Sequence, residues 1–287
     1  FFNDNITDNI LIQYWELFPK RKRLLQWIDI NALKWDELSS NKNSIDLLKD
    51  NIDKINWNNL SKNPNAIELL NANVDKINWD ELSFNKNAID LLKNNQDKIN
   101  WKNLSSNKNA IDLLKDNIDK INWDELSDNT NAIDLLTKYM HNINWDILSG
   151  NKNAIELLQP IIDYEKQLSD VDYDNLDYFF NWKLFSSNPN AIKILTENTQ
   201  QIDWDFLSIN KNAIELLTQN KDLIDWNWLS CNENAIVFLT KYKNNINWDS
   251  LSLNKNAIQL LSENKDKINW DIMSSNPSIF INESIPL

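Results

Sequence analysis

Residues 77–98 read INWDELSFNKNAIDLLKNNQDK, and this 22-residue phrase, repeated with small changes along the chain, decides the fold. Trp recurs at 35, 57, 79, 101, 123 and 145, and again at 182, 204, 226, 248 and 270. Every step is 22 residues except the one from Trp145 to Trp182, which is 15 longer. A fixed period of this kind marks a stacked repeat architecture, in which each unit buries its apolar face against its neighbours. Within the unit, Trp79 and Leu82 stand at i and i+3, while Ala88, Ile89, Leu91 and Leu92 make a second apolar stripe at helical spacing. The chain therefore reads as all-α: a solenoid of eleven 22-residue helical-hairpin repeats with divergent terminal caps.

Each helix carries a start signal. Asn78 is followed three residues later by Glu81, and Asn87 by Asp90, which are Asn-led analogues of the capping box. A leucine-rich repeat has a similar period but needs an extended L-x-L strand, where this unit offers Ala, Leu, Glu and Lys at helix positions. Twenty-two residues leave the first helix only one or two turns, so packing must supply most of its stability. Removing one repeat Trp is expected to destabilise by about 3 to 5 kcal/mol, as large-to-small changes in a core do. The loop Ser83-Phe84-Asn85-Lys86-Asn87 keeps its first Asn in all eleven units. Its amides suit two tasks: gripping an extended peptide backbone, or satisfying loop N–H groups and bonding neighbouring repeats. An invariant feature is what stacking requires, and stacking is the expectation.

The periodicity divides one continuous solenoid into a divergent N-terminal cap (1–30), repeats one to six (31–158), an insertion (159–181), repeats seven to eleven (182–277) and a C-terminal cap or tail (278–287). Trp15 and Phe18 keep the W-x-x-apolar spacing in the first segment. Caps are expected because the end repeats would otherwise expose their stacking faces. In the insertion, Pro160 should end or restart a helix. An extra helical element there is expected to alter the superhelix. Asp170, Asp172 and Asp174 resemble the opening of a calcium loop, but Asn175 and Asn181 stand where such a loop needs Gly and Glu.

Composition removes several functions. A net charge of −13 disfavours duplex nucleic acid, and the only basic run is Lys20-Arg21-Lys22-Arg23, which suits a nuclear-import signal or a solvated face. No membrane span and no secretory leader is read from the chain. One histidine (His141), one cysteine (Cys231) and one glycine (Gly150) leave no triad, zinc cluster or phosphate loop. The chain reads as a non-enzyme with no catalytic residue, cofactor or metal.

Recognition is sought where the copies differ. Two residues after each Trp the first half has Glu37, Asn59, Glu81, Asn103 and Glu125, whereas the second half has Ile147, Leu184, Phe206, Trp228, Ser250 and Ile272. On a helix this position points about 200° away from the Trp, outside the core stripe. Three residues further on stand Ile209, Cys231 and Leu253. Leu184, Phe206, Ile209, Trp228, Leu253 and Ile272 thus form a candidate partner-binding strip, the competing reading being burial under the insertion or the tail.

The units LKWDELSSNKNSIDLLKDNIDK (33–54) and INWNNLSKNPNAIELLNANVDK (55–76) resemble the Asn-rich W-x-x-L-S-x-N-P-N-A-I-x-L-L repeats of giant DNA viruses of protists. The resemblance spans roughly residues 30 to 277. Lys86 and Lys108 stand where that family often has Pro, which Pro64, Pro189 and Pro277 keep. It implies a viral origin, a place in the host cytoplasm or the virion, and no catalytic residues. Two roles follow: an adaptor presenting a long face to a host or viral protein, or a virion component bridging capsid proteins. Homo-oligomerisation through an exposed stacking end is a third.

Overall fold

A computed structural model of the chain describes residues 21–165 and 180–283. Each regular unit is built from three short helical pieces. In the third unit these are helix A (Trp79–Phe84), helix B (Ile89–Lys93) and a one-turn 3-10 helix (Gln96–Lys98), after which Ile99 and Asn100 run extended into Trp101. The first start signal acts as the spacing predicts, the Asn78 side-chain oxygen accepting from the Glu81 N–H at 3.1 Å. The second does not. Helix B begins at Ile89 with no side-chain cap, and Asn87 instead donates its amide to the Pro64 carbonyl of the preceding unit at 2.8 Å. The one-turn helix is an element the two-helix reading did not contain.

Helices of five or six residues do not hold themselves together, so burial must. Leu82, Ala88 and Leu92, and their equivalents in nearly every unit, are fully buried between helices A and B. The repeat Trp is not: it packs against this core half-exposed, and a lysine caps its ring. Lys54, Lys76, Lys98, Lys120 and Lys267 lie between 4.4 and 4.7 Å from the ring centroids of Trp35, Trp57, Trp79, Trp101 and Trp248. The leucine three residues after the Trp, fully buried at Leu38, Leu60 and Leu82, holds the core place. The large loss on truncation therefore belongs to these leucines, about 2–5 kcal/mol each.

The units are tied together by a ladder of buried polar groups. Asn63 Nδ2 donates to the carbonyls of Ser39 (3.0 Å) and Asn41 (2.9 Å) in the unit before, while its side-chain oxygen accepts from Asn65 N–H at 3.1 Å. Ser39 Oγ donates to the Trp35 carbonyl at 2.7 Å and accepts from the Asn56 N–H of the next unit at 3.0 Å. Asn65 donates to the Lys42 carbonyl at 2.7 Å. The loop asparagines are thus occupied by stacking and are not free to grip a peptide. Among the described residues no buried side-chain nitrogen or oxygen lacks a partner, as a low-dielectric interior demands.

The ladder has no ends. Asn41 Nδ2 donates to the carbonyls of Ser274 and Asn276 in the eleventh unit, both at 3.0 Å, and Lys34 N–H donates to Ser274 Oγ at 2.9 Å. These repeat the bonds that Asn63 and Asn56 make to the unit before them, so unit 1 stacks on unit 11 and the solenoid closes into a ring. Strand β1 (Lys22–Leu24) pairs antiparallel with β2 (Phe280–Asn282), and Trp27 packs on Trp270 with ring centroids 6.2 Å apart. The eleventh unit is composite. Its helix A (Trp270–Met273) comes from the C-terminal end. Its one-turn helix (Ile30–Ala32) and extended entry (Leu33 and Lys34) come from the N-terminal end, at the places that Ile52–Lys54, Ile55 and Asn56 hold before Trp57. The segments expected to cap separate faces meet each other. Trp15 and Phe18 lie outside the described residues.

The insertion does not break the ring. Asn181 N–H still donates to Ser149 Oγ at 3.1 Å, and Asn188 Nδ2 reaches the carbonyls of Ser149 (3.4 Å) and Asn151 (3.1 Å). Pro160 does not end a helix either, but lies inside Ile155–Glu165. Proline removes one backbone bond there; burial of Leu158 and Ile162 on either side keeps the helix on the core. Extra length is thus added after helix B, and the A-helix ladder continues past it.

Candidate binding site on the inner wall

Along units 1 to 6 and again along units 7 to 11, successive A helices lie against one another, whereas B helices of neighbouring units nowhere approach as closely. In a closed ring the layer with the shorter unit-to-unit spacing has the smaller radius. Helices A therefore line the inside and helices B the outside. Eleven helices at the ~8–10 Å spacing of packed helices make a circle about 30 Å across between axes. Subtracting ~5 Å for the half-width of a helix with side chains, on each side, leaves a lumen about 20 Å wide.

Leu38, Ser39 and their equivalents turn a helix A towards B, so the residues one, two and five places after the Trp face the lumen. The sequence-predicted strip lies on this wall in full. Leu184, Phe206, Ile209 and Ile272 are half-buried, while Trp228 and Leu253 are exposed at 44% and 49%. Contact runs from unit to unit: the Phe206 and Trp228 rings are 6.3 Å apart, and Lys183 Nζ stands 4.8 Å from the Phe206 centroid. The Cys231 thiol donates to the Ser250 carbonyl at 3.5 Å, and burial pushes its pKa up. Through Glu283 the tail pairs at the β1–β2 seam, the Glu283 N–H donating to the Arg21 carbonyl at 2.9 Å.

The wall facing this arc is polar. Units 1 to 5 place Glu37, Glu81, Glu125 and Asp128 on it, with Lys62 and Lys102 ion-paired to Glu81 and Glu125 at 4.0 and 3.8 Å. Phe84, 43% exposed, is the apolar exception there. The place next to each Trp adds an acidic edge around the ring, including Asp36, Asp80, Asp124, Asp205, Asp249 and Asp271, all exposed. Variation between the copies marks the apolar half of this wall in the sequence, whereas closure, which brings both halves to one space, carries no local signal.

The other sequence candidates fall elsewhere. Of the basic run, Lys20 lies outside the described residues; Arg21 pairs with Asp50, the Lys22 N–H donates to Asp46 at 2.7 Å, and Arg23 sits in β1. The run helps to build the seam. Asp170, Asp172 and Asp174 lie outside the described residues. Beside them, Glu165 accepts from Trp182 Nε1 at 3.2 Å, and burial holds its carboxyl above the usual range. His141 is exposed on the one-turn helix Met140–Asn142. Among the described residues no three His, Cys, Asp or Glu side chains gather where they could hold a metal ion, and no helix is long and apolar enough to cross a membrane. Comparison of the chain with protein-family models, with curated proteins and with solved structures gives no match.

Proposed function

We propose that this chain is a non-enzymatic protein-interaction scaffold that takes a protein partner against the inner wall of its ring. The observation that carries the reading is the apolar arc itself. The repeated asparagines and serines of helix A and its loop are occupied by stacking, whereas Phe206, Ile209, Trp228 and Leu253 vary and keep surface open to the lumen, with Phe206 beside Trp228. A half-exposed aromatic pair in a concave site is the usual composition of an interface anchor. The likeness of the repeat to those of giant DNA viruses gives the setting, the infected host's cytoplasm or the particle. The test is the double substitution Phe206→Ser/Trp228→Ser in the full chain, with circular dichroism confirming that the helices remain. A stoichiometric partner recovered from infected cells by the parent chain is expected to be lost by the variant. Retention of the partner overturns the reading, and abundance of the chain in purified particles moves the role to bridging capsid components.

A further inference from the structure

Taking the inner wall as the binding surface, as proposed above, we infer that its occupant is an amphipathic α-helix with one apolar face and one lysine- or arginine-rich face. Three features of the lumen select this chemistry. The first is width. A lumen about 20 Å across admits a single helix, ~10–12 Å in diameter with its side chains, lying against one side of the wall. A folded domain does not fit.

The second is the division of the wall. From unit 6 to unit 11 the second place after the Trp is apolar in every unit but one, the exception being Ser250, with Ile209 and Leu253 beside it. An occupant lying there gains from burying apolar surface against Phe206, Trp228 and Leu253. At these second and fifth places the opposite arc, units 1 to 5, carries four carboxylates (Glu37, Glu81, Glu125 and Asp128) against Lys62, with Lys102 at a first place, while the aspartates next to the Trp run round both arcs. Both lysines are already ion-paired within the wall. An occupant apolar all round would leave the field of these carboxylates unanswered across a gap of ~8–10 Å, about one Debye length. An amphipathic helix answers both arcs, its apolar face seated on one and its cations turned towards the other.

The third is the sign of the field. With an overall charge of −13 and an acidic edge running round the lumen, the ring attracts cationic segments and repels phosphate backbones. A single nucleic-acid strand, which has the right width, is thereby disfavoured.

The probe is an 18-residue peptide of leucine and lysine, patterned so that leucine fills one helical face, labelled and titrated against the full chain by fluorescence anisotropy. A peptide of the same composition with leucine and lysine scrambled out of helical register is the control. The patterned peptide is expected to bind at least tenfold more tightly than the scrambled one. Phe206→Ser/Trp228→Ser and Glu81→Lys/Glu125→Lys should each weaken it tenfold or more, the second also flattening its salt dependence. Asp53→Lys/Asp75→Lys, the same charge change on exposed one-turn helices away from helix A, should leave affinity within twofold. Equal binding of the two peptides, no binding of the patterned one, or equal weakening by the Asp53/Asp75 variant overturns the inference. If the patterned peptide fails while Phe206→Ser/Trp228→Ser still abolishes capture of the cellular partner, the helix falls and the scaffold reading stands.

Discussion

At the scale of single residues, what recurs and what is buried are not the same list. Trp is the most conspicuous repeat residue, and its regular spacing suggested a core role, yet a lysine covers its half-exposed ring in five units. The distinction is testable inside one unit. Leu104, fully buried, should lose about 2–5 kcal/mol on replacement by alanine. Trp101, half-exposed under Lys120 at 4.4 Å, should lose less, about 1–3 kcal/mol, since part of its surface never leaves water. Urea denaturation of Leu104→Ala and Trp101→Ala reads the order directly, and the reverse order would return the Trp to the core. Asn107 gives a sharper case. It donates to the Ser83 and Asn85 carbonyls, both at 3.0 Å, and accepts from Asn109 N–H at 3.1 Å. Asn107→Asp keeps the acceptor but removes the donors and aims a buried charge at two carbonyls, so it should destabilise more than Asn107→Ala, which is expected to lose about 2–4 kcal/mol. That the invariant asparagines serve stacking was legible from their invariance, whereas the division of labour between Asn85-type and Asn87-type residues was not. Both match a loop or cap preference equally, and only the partner across the unit boundary separates them.

At the scale of elements, each unit is a set of pieces too short to be stable alone, joined by bonds that cross to the next unit. Periodicity made helices A and B legible because each presents an apolar stripe. The one-turn helix at Val74–Lys76 presents no stripe of its own; it ends in Ile77, whose burial is read equally well as the end of a longer helix. Pro160 shows the opposite failure, a strong local rule overridden by the burial of Ile162 one turn away from Leu158. Charged contacts between elements follow the same unit-to-unit logic. Glu233 accepts from Lys211 at 3.0 Å and Lys255 at 2.7 Å, tying together the loops of three successive units. Partial burial pushes its carboxyl up, but the two lysines more than offset this and hold it below the ordinary glutamate value of 4.5. Because its folded-state pKa is depressed, this bridge contributes stability that is fully present above about pH 4.5 and lost as pH falls through the folded value. Glu233→Gln should accordingly lower the melting temperature slightly at pH 7, with the difference from the parent shrinking towards pH 3. A constant difference across that window would mean that the carboxylate acts by packing and not by charge. Cys231 is a second reporter at this scale. With its thiol pKa raised by burial against the next unit, it should react with iodoacetamide at pH 8 at least tenfold more slowly than the same cysteine in urea.

At the scale of the whole molecule, the closed ring is what the chain's sequence least discloses. Closure of eleven units needs a mean rotation of about 33° from one to the next, a quantity set by the difference in spacing between the A and B layers and not by any residue. Residues 21–34 and 270–283 look divergent for a related reason: they contribute the two parts of one unit, separated by the chain between them, so neither part matches the repeat by itself. Lys34 illustrates it, standing where other units have a capping Asn or Asp and facing Asp271 at 3.5 Å across the seam. Among the described residues unit 11 has no helix B, and the seam rests on Ile279, Phe280 and the three-residue pairing of β1 with β2. Removing residues 277–287 takes away that pairing and the Asn43 bond to the Pro277 carbonyl, while leaving Ser274 and Asn276 to meet Asn41. If the strand pair and the buried Ile279 and Phe280 keep the ring shut, the truncated chain should open. Small-angle scattering should then show a larger maximum dimension with helical content nearly unchanged. The freed stacking faces of units 1 and 11 are complementary and not identical, so their association is heterologous and propagates from chain to chain. Light scattering should therefore report a mass that grows with concentration for the truncated chain and not for the parent. A truncated chain of unchanged dimensions and constant mass would show that the asparagine ladder alone suffices to close the ring.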